Sequence, residues 1–479
     1  MKKQVFNPYL PSYEYIPDAE PYVFDNRVYI YGSHDRFGGT AFCMNDYVCW
    51  SAPVDNLGDW RFEGIIYRKE QDPRCCPDSC MYAPDVAKGP DGRYYLYYTL
   101  DFSGTMSVAV ADTPAGPYAY YGRVCAPDGH AIGDKDGDVY QYDPGVLADD
   151  DGKIWLYTGF GPKLNSPQIS KRSDRQQDGC YCIELEDDML TVKASPVCVI
   201  PKEGNAVGTT FADHPFFEAA SIRKIGKLYY LVYSSSHLHE LCYAVSEYPD
   251  RDFRFGGILV SNGDVGIGGW TAEVSANYYN NNHGGMVQIG DQWYIFYHRH
   301  TNHNSFSRQT CAEKLTISPD GHIQQAELTS CGLNDGDLLG TGRYPAHIAC
   351  HLYIGKGACN IRYMKPEKEK HPAITQTGAD REDNEDSYIT NMRDGSTAGY
   401  KYFDLRNTAK VEIEVRGDGG TVIVTDGPDG KVYATIAVDP SAEYQTFSAP
   451  FSGGKAHSGL YFTVQTPGFM EFRSFTLYA

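Results

Sequence analysis

One short pattern recurs five times in the first 300 residues of the chain: a turn followed by an aromatic strand. The copies read RVYIYGS (27–33), RYYLYYT (93–99), KIWLYTG (153–159), LYYLVYS (228–234) and QWYIFYH (292–298). Gly, Asp or Asn turn residues precede most of them. Each interval is long enough for several short strands, and such serial repetition is typical of blades arranged around an axis.

We therefore predict an all-β fold in which residues 1–335 form a five-bladed β-propeller. The intervals hold further strand candidates, such as 107–111 and 180–184. Five radial four-stranded blades would leave few open sheet edges. An irregular β-sandwich with accidental periodicity is the alternative, and the matching turn chemistry of the five copies disfavours it.

The pattern changes after about residue 325. A loop-rich stretch (334–342) and a highly charged segment (365–386), which we predict to be a loop, come before a series of strand candidates between 388 and 477. Strands spaced by about 8–12 residues, with Gly, Asp and Pro in the turns, are typical of a β-sandwich. We predict that residues 345–479 form this second domain and pack against the first.

Charge and the N-terminus narrow the expected partners. The 42 Lys and Arg residues against 62 Asp and Glu residues give a formal charge of −20. Nucleic acid and anionic membranes would repel such a chain, whereas a neutral sugar would not. The alternative is that the charge serves solubility alone. MKKQVFNPYL does not resemble a secretory signal, so we expect a cytoplasmic protein whose 14 cysteines are free thiols.

Four carboxylates recur at comparable positions of successive repeats. Asp18, Asp85, Asp143 and Glu218 each precede a repeat strand by roughly 8–12 residues. Equivalent positions of propeller blades converge on the axis, so acids far apart in sequence would become neighbours. Two carboxyl groups across a sugar can hydrolyse a glycosidic bond, and a third raises the pKa of the acid. Each residue alone could equally be a turn or capping acid.

Five motifs in order resemble a known family. They are PDAEPYVFDNRVYIYGSHD, MYAPDVAKGPDGRYYLYY, YDPGVLADDDGKIWLYTG, FFEAASIRKIGKLYYLVYS and NNHGGMVQIGDQWYIFYHRH with the following SRQTCAEKL. Residues 5–325 resemble glycoside hydrolase family 43, five-bladed propeller enzymes of clan F. The resemblance implies an inverting mechanism with Asp18 as general base and Glu218 as general acid. It implies that Asp143 orients the acid and tunes its pKa.

The chain departs from the family pattern at three places. Tyr82 stands where the family commonly has Trp, and Ala219-Ala220 replaces Gly-Pro after the acid. Ala and Glu separate Asp18 from Pro21, which makes Glu20 an alternative base. We expect these changes to affect the shape of the sugar pocket more than the chemistry.

The resemblance also implies further site residues. His283, in NNHGG, is at the family's axial position, where a histidine faces a calcium ion or a water cluster; no organic cofactor is expected. Arg308 resembles the arginine that reaches the sugar near the base, with a surface salt bridge as the alternative role. Asp35 and Asp85, at the same rim, are expected to bind sugar hydroxyls.

The C-terminal stretch from about 345 resembles a family 6 carbohydrate-binding module, on TAGYKYFDL, GTVIVTDGPDGKVYATIAV and GLYFTVQTPGFMEFRSFTLY. Tyr400 could stack on sugar or belong to the core. The module could anchor polysaccharide or instead close the rim of the active site.

The sequence thus predicts an inverting exo-glycosidase that removes terminal α-L-arabinofuranosyl or β-D-xylosyl residues from plant cell-wall oligosaccharides. The alternatives are an endo-arabinanase-like enzyme and a non-catalytic sugar-binding propeller. An open cleft would favour the former, and carboxylates that do not converge would favour the latter.

Overall fold

The computed structural model describes residues 3–162, 174–237, 239–364, 367–382 and 386–479. These ranges consist of β-strands and loops, and their helical segments are the short 3-10 helices Lys69–Gln71, Ala346–Ile348, Ile361–Tyr363 and Lys368–Lys370. No helix within them is long and apolar enough to cross a membrane. The predicted all-β fold is confirmed.

Five antiparallel sheets, here called blades I to V, follow one another up to residue 315. Blade I contains β1 (Glu20–Phe24), β2 (Arg27–Tyr31), β3 (Tyr47–Pro53) and β4 (Arg61–Tyr67). Blade II contains β5 (Asp85–Lys88), β6 (Tyr94–Tyr98), β7 (Ser107–Ala111) and β8 (Ala119–Arg123). Blade III contains β9 (Gly145–Ala148), β10 (Ile154–Thr158), β11 (Gly179–Leu185) and β12 (Val197–Pro201). Blade IV contains β13 (Phe216–Ile225), β14 (Leu228–Ser235), β15 (Leu241–Ser246) and β16 (Arg254–Val260). Blade V contains β17 (Met286–Ile289), β18 (Gln292–His300) and β19 (Arg308–Leu315).

The five repeated aromatic segments are the second strands of the five blades: β2, β6, β10, β14 and β18. Their aromatic side chains are buried between neighbouring blades; Tyr31 and Tyr98, for example, belong to one core cluster shared by blades I and II. The expectation of four strands in every blade is wrong for blade V, whose sheet has three strands in the described residues.

The first strand of each blade lies towards the centre of the ring. β1 contacts β17, β5 contacts β9, and β9 contacts β13, so inner strands of different blades are neighbours. The contact between β1 and β17 closes the ring between the first and last blades. This arrangement brings the segments just before the inner strands together, although they are far apart in sequence.

Two six-stranded sheets follow the propeller. One contains β20 (Leu338–Leu339), β22 (His351–Ile354), β25 (Ser396–Asp404), β27 (Gly420–Thr425), β28 (Val432–Val438) and β30 (Ser458–Gln465). The other contains β21 (Gly342–Pro345), β23 (Ala373–Gln376), β24 (Ser387–Arg393), β26 (Lys410–Gly417), β29 (Ser441–Pro450) and β31 (Phe469–Tyr478). Their inward side chains, such as Phe462 and Phe475, form one buried cluster, as in a β-sandwich.

One expectation for this region needs correction, and one open alternative is decided in favour of the core. The charged segment 365–386 is not a loop throughout, because it contains β23, which pairs with β24; residues 365–366 and 383–385 lie outside the described residues. Tyr400 is fully buried in the sandwich core, and its hydroxyl donates to the carbonyl of Ala346 at 2.9 Å. It is therefore unavailable for stacking on sugar.

Buried charges join the sandwich to the propeller. Asp264, in the loop after β16, accepts from Lys401 Nζ at 3.2 Å and contacts His351 Nε2 at 2.7 Å. Glu14 pairs with Arg381 at 2.8 Å. These contacts join the sandwich to the segment before β1 and to the loop between blades IV and V, and removing one partner would leave a buried charge unpaired.

Candidate active site

A cavity of about 120 Å³ opens where the segments before the inner strands converge. That volume is below the roughly 300–1,000 Å³ of pockets that enclose drug-sized ligands, so it suits one sugar ring better than a stretch of polysaccharide. The cavity is lined by Asp18, Phe42, Tyr82, Ala83, Phe102, Tyr142, Asp143, Phe160, Phe217, Glu218, His239, Asn280, Asn281, His283, Arg308 and Arg362. The structure thus brings the three predicted catalytic carboxylates, His283 and Arg308 to one site.

Asp18 lies two residues before β1 and is held by Arg308. Arg308 Nη1 donates to Asp18 Oδ1 at 2.9 Å, and Nε and Nη2 donate to the two oxygens of Asp35 at 2.9 and 3.0 Å. All three side chains are buried. The guanidinium therefore fixes the direction of Asp18 while its own orientation is fixed by Asp35, and the alternative of a surface salt bridge is wrong.

Asp143 and Glu218 are coupled through the backbone. The Ala219 N–H donates to Asp143 Oδ2 at 3.1 Å. Ala219 has φ of 70°, in the left-handed region, and the pairing of β13 with β14 is irregular on both sides of Glu218. A bulge of this kind re-aims a side chain within a strand. Here it turns Glu218 towards the cavity and the following N–H towards Asp143.

Burial raises the pKa of Glu218, and the negative charge of Asp143 raises it further, to about 8. His283 and Arg308 act in the opposite direction but do not cancel the effect. Glu218 is therefore protonated at neutral pH, which is the state that a general acid requires.

His283 lies between two carboxylates. Its Nδ1 is 3.5 Å from Asp143 Oδ2, and its Nε2 is 3.8 Å from Glu20 Oε1. Burial works against the charged imidazole, but the contact with Asp143 raises the pKa of His283 to about 9. Gly285 allows this close packing, because a Cβ there would meet Glu20 Oε2 at 2.2 Å.

These donors do not fit calcium. The ion takes about six to eight oxygen ligands, whereas an imidazole offers only nitrogen and Glu20 has one oxygen without a protein partner among the residues that the structure describes. The second oxygen of Glu20 already accepts from Arg223 at 2.8 Å and from Ser221 at 2.9 Å. The buried atoms Glu20 Oε1 and His283 Nε2 have no hydrogen-bond partner among the described residues. Two such polar atoms suit a bridging water better than a metal ion.

Glu20, the alternative base, does not line the cavity. It is fully buried at the centre of the ring, where it pairs with Arg223. The structure therefore puts Asp18, and not Glu20, in position to meet a substrate.

The expected contacts of Asp35 and Asp85 with substrate hydroxyls need correction. Neither residue lines the cavity, and both are fully buried. Asp35 is bound by Arg308, while Asp85 accepts from the Tyr22 hydroxyl and from the Val146 N–H, each at 2.7 Å. With their oxygens committed to protein donors, both support the wall behind the site.

Aromatic side chains form much of the cavity wall, and most were not singled out from the sequence. Phe102 and Tyr142 stack with centroids 5.3 Å apart, and Tyr82 packs against both. Phe160 and Phe217 continue the wall. Two of these rings, Tyr142 and Phe217, lie next to a predicted catalytic residue in sequence, and that adjacency is the signal that could have identified them.

Arg362 is the lining residue that comes from the second region of the chain. It belongs to the 3-10 helix Ile361–Tyr363, well past the predicted domain boundary. No sequence pattern points to it, because its placement depends on how the sandwich docks on the propeller.

The chain is similar to known glycoside hydrolases. The family described as glycosyl hydrolases family 43 matches residues 13–323. The chain is 51% identical over 482 residues to a xylosidase/arabinosidase of Thermoclostridium stercorarium, covering 100% of this chain and 99% of that protein. It is 29% identical to xylosidase/arabinosidase 43A of Humicola insolens, covering 59% of this chain and 88% of that protein.

Solved structures show similar folds. A β-xylosidase/α-arabinofuranosidase from a compost microbial metagenome, described as a complex with xylotriose in a calcium-free form, has a TM-score of 0.52 and 26% identity; it covers 68% of this chain and 98% of its own. A Bacillus subtilis arabinoxylan arabinofuranohydrolase has a TM-score of 0.52 and 21% identity, covering 98% and 97%. At that identity the second match shows the fold alone, and it extends over both the propeller and the sandwich.

Proposed function

The chain belongs to glycosyl hydrolases family 43, and from this premise we propose that it removes terminal α-L-arabinofuranosyl or β-D-xylosyl residues from plant cell-wall oligosaccharides with inversion. The observation that supports this most strongly is that Asp18, Asp143 and Glu218 line one small cavity, with the pKa of Glu218 raised to about 8. A buried protonated acid facing a second carboxylate is the equipment of glycoside hydrolysis.

In the proposed reaction, the terminal sugar lies between Asp18 and Glu218. Asp18, oriented by Arg308, takes a proton from a water molecule as that water attacks the anomeric carbon. Glu218 gives its proton to the leaving oxygen. The charge of Asp143 raises the pKa of Glu218 and so keeps it protonated before the reaction, and Asp143 also accepts a hydrogen bond from the Ala219 N–H. We expect a separation of about 6.5–9.5 Å between the Asp18 and Glu218 carboxyl groups, as inversion requires room for the water.

We propose exo rather than endo action because the cavity is small and Arg362 lies at its wall. An endo-acting enzyme must bind a chain that continues on both sides of the cleaved bond, which requires an open cleft. The endo-arabinanase-like alternative therefore ranks second.

A hydrolysis panel tests the proposal. The substrates are nitrophenyl α-L-arabinofuranoside, nitrophenyl β-D-xyloside, branched arabinoxylo-oligosaccharides and linear arabinan, with the anomer of the first product followed by NMR. We expect release of single pentoses and a product of inverted configuration. Release of internal oligosaccharides from arabinan would favour the endo alternative, and no hydrolysis of any substrate would favour the sugar-binding propeller.

For the axial position we propose bound water in place of the calcium ion that the resemblance implied as one option. His283 and Glu20 offer two unpartnered polar atoms 3.8 Å apart. Calorimetric titration with calcium chloride tests this, with kcat/KM measured before and after EDTA treatment. We expect no heat of binding and unchanged kcat/KM; calcium binding that is lost in His283→Ala would contradict the proposal.

We propose that residues 1–335 and 345–479 act as a catalytic domain and an accessory sandwich domain of the carbohydrate-binding-module type. The sandwich would complete the rim of the active site rather than anchor polysaccharide, which is supported by the position of Arg362 and the burial of Tyr400.

We further propose that the protein acts in the cytoplasm. Its cysteines are free in the structure, which suits a reducing compartment. Its substrates there would be short imported oligosaccharides.

A further inference from the structure

The cavity that holds the three carboxylates is completed by a cation from outside the propeller. Arg362 lines it together with 15 residues that all precede residue 310. Arg362 is exposed, whereas Asp18, Asp143 and His283 are buried. The guanidinium therefore lies at the mouth of the cavity and the acids at its floor.

The segment that carries Arg362 is fixed to the propeller. The Ala358 N–H donates to the Ser275 carbonyl at 2.7 Å, and the Ser275 N–H donates back at 3.1 Å. The Ile361 N–H donates to the Tyr279 carbonyl at 3.0 Å. Ile361, Ala358 and Met364 also form a buried cluster with Tyr278.

This propeller segment leads directly to Asn280 and Asn281, which line the cavity. The hydrogen bonds therefore position Arg362 relative to the same wall that a substrate would contact. Asn360 also fixes the backbone at Arg362, since its side chain accepts a hydrogen bond from the Arg362 N–H at 3.0 Å.

Arg362 differs from the other cations of the cavity in what it contacts. Arg308 is committed to Asp18 and Asp35. In the described part of the chain, the Arg362 guanidinium has neither an ion pair nor a side-chain hydrogen bond. A guanidinium presents five N–H donors in a planar fork, which suits sugar oxygens as well as carboxylates.

The residue after Arg362, Tyr363, has an exposed aromatic ring. Tyr363 is 80% exposed, the highest value among the exposed tyrosines, and no ring of the described residues packs against it. Tyr363 does not line the cavity itself, but it follows Arg362 in the same 3-10 helix, Ile361–Tyr363. A tyrosine ring offers an apolar face to the C–H side of a sugar and a hydroxyl at its edge.

We propose that Arg362 and Tyr363 form the leaving-group subsite, which binds the sugar unit next to the cleaved bond. This rests on the proposed function. When the terminal pentose occupies the small cavity, the rest of the bound oligosaccharide must extend out through the mouth of the cavity. There Arg362 donates to its hydroxyls and Tyr363 stacks on its ring. The sandwich domain thus sets the preference for oligosaccharides over simple pentosides.

The test compares xylotriose, which fills such a subsite with sugar, with β-D-xylosyl fluoride, whose single-atom leaving group leaves the subsite empty. The variants are Arg362→Gln and Tyr363→Ala. Arg406→Gln is the matched control, because Arg406 is an exposed arginine of the same domain whose partner is Asp404. Thermal unfolding of each variant verifies that the fold is retained.

We expect kcat/KM for xylotriose to fall about tenfold or more in Arg362→Gln, mainly through KM, since a lost charge-assisted hydrogen bond has effects of this size. Tyr363→Ala loses the stacking face, and kcat/KM for xylotriose should fall about three- to tenfold. On the xylosyl fluoride the variants should stay within about twofold of the wild type. Equal losses on both substrates, or no loss on xylotriose, would overturn the subsite. A wild-type enzyme that hydrolyses neither substrate would instead overturn the proposed function and the subsite with it.

Discussion

The alkaline limb of the pH profile should be set by Glu218. Burial, followed by the charge of Asp143, raises the pKa of Glu218 to about 8, so the carboxyl loses its proton as the pH rises through that value. The protonated fraction falls from roughly 0.9 at about pH 7 to roughly 0.1 at about pH 9. Because only the protonated form can act as general acid, kcat/KM for xylobiose should fall about tenfold over this interval.

Replacing Glu218 by glutamine removes the proton donor and keeps the shape of the side chain. We expect Glu218→Gln to lower kcat/KM for xylobiose by about 10²–10⁴-fold, the usual contribution of general acid catalysis. The loss should be much smaller on a dinitrophenyl xyloside, whose leaving group departs without protonation. The assay is kcat/KM against pH for both substrates.

Asp143→Asn provides a second perturbation of the same limb. With the neighbouring charge removed, the pKa of Glu218 should fall, and the alkaline limb should move to lower pH while Glu218 itself is unchanged. Glu218 is not the general acid if Glu218→Gln loses equal activity on both substrates or keeps the alkaline limb. An alkaline limb that does not move in Asp143→Asn would contradict the effect of the Asp143 charge on the pKa of Glu218.

Three further sets of variants test the backbone strain at Ala219 and the ion pairs of Arg308 and Arg223. Ala219→Gly should raise the free energy of unfolding in urea by about 0.5–1 kcal/mol, because glycine adopts the φ of 70° without strain, whereas Ala220→Gly should lower it. Arg308→Lys should lower kcat/KM by about 100-fold with normal far-UV circular dichroism, since an ammonium cannot hold both carboxylate partners in one geometry. Arg223→Met should lower the free energy of unfolding by about 3–5 kcal/mol, because it leaves the buried Glu20 unpaired. Adding Glu20→Gln to this variant should recover part of the loss. Equal destabilisation in the single and double variants would contradict the pairing.

The propeller was predictable because its signal is repeated. A single segment such as RVYIYGS is an ambiguous strand, but five copies with turns before them specify an architecture. The long strands of the sandwich were also predictable, and strands such as Val432–Val438 lie within the range 388–477 that was expected to contain them. The short strands β20, β21 and β23 were not, because two to four residues carry no periodicity and their pairing depends on tertiary partners.

The site was predictable in its position and less so in its detail. Repetition indicated that carboxylates near the starts of the inner strands converge, and Asp18, Asp143 and Glu218 do line one cavity. The same rule misplaced Asp85, because its carboxylate is bound by the Tyr22 hydroxyl and the Val146 N–H of the neighbouring blades. Arg362 was out of reach, since the docking of two domains leaves no mark in local sequence.

Repetition brings the acids to one place, but the backbone at single residues aims them. Asp18, Asp143 and Ala219 have φ of 57°, 47° and 70°. Aspartate tolerates the left-handed region better than alanine does, and an alanine there costs about 1 kcal/mol or more and persists only where its surroundings hold it. The hydrogen bond from Ala219 to Asp143 is such a restraint. Asp143 therefore acts on Glu218 in two ways, through its charge and through the adjacent peptide. For that reason the loss of Asp143 should change both the pKa of the acid and its direction, whereas a change of charge at a more distant carboxylate would alter the pKa alone.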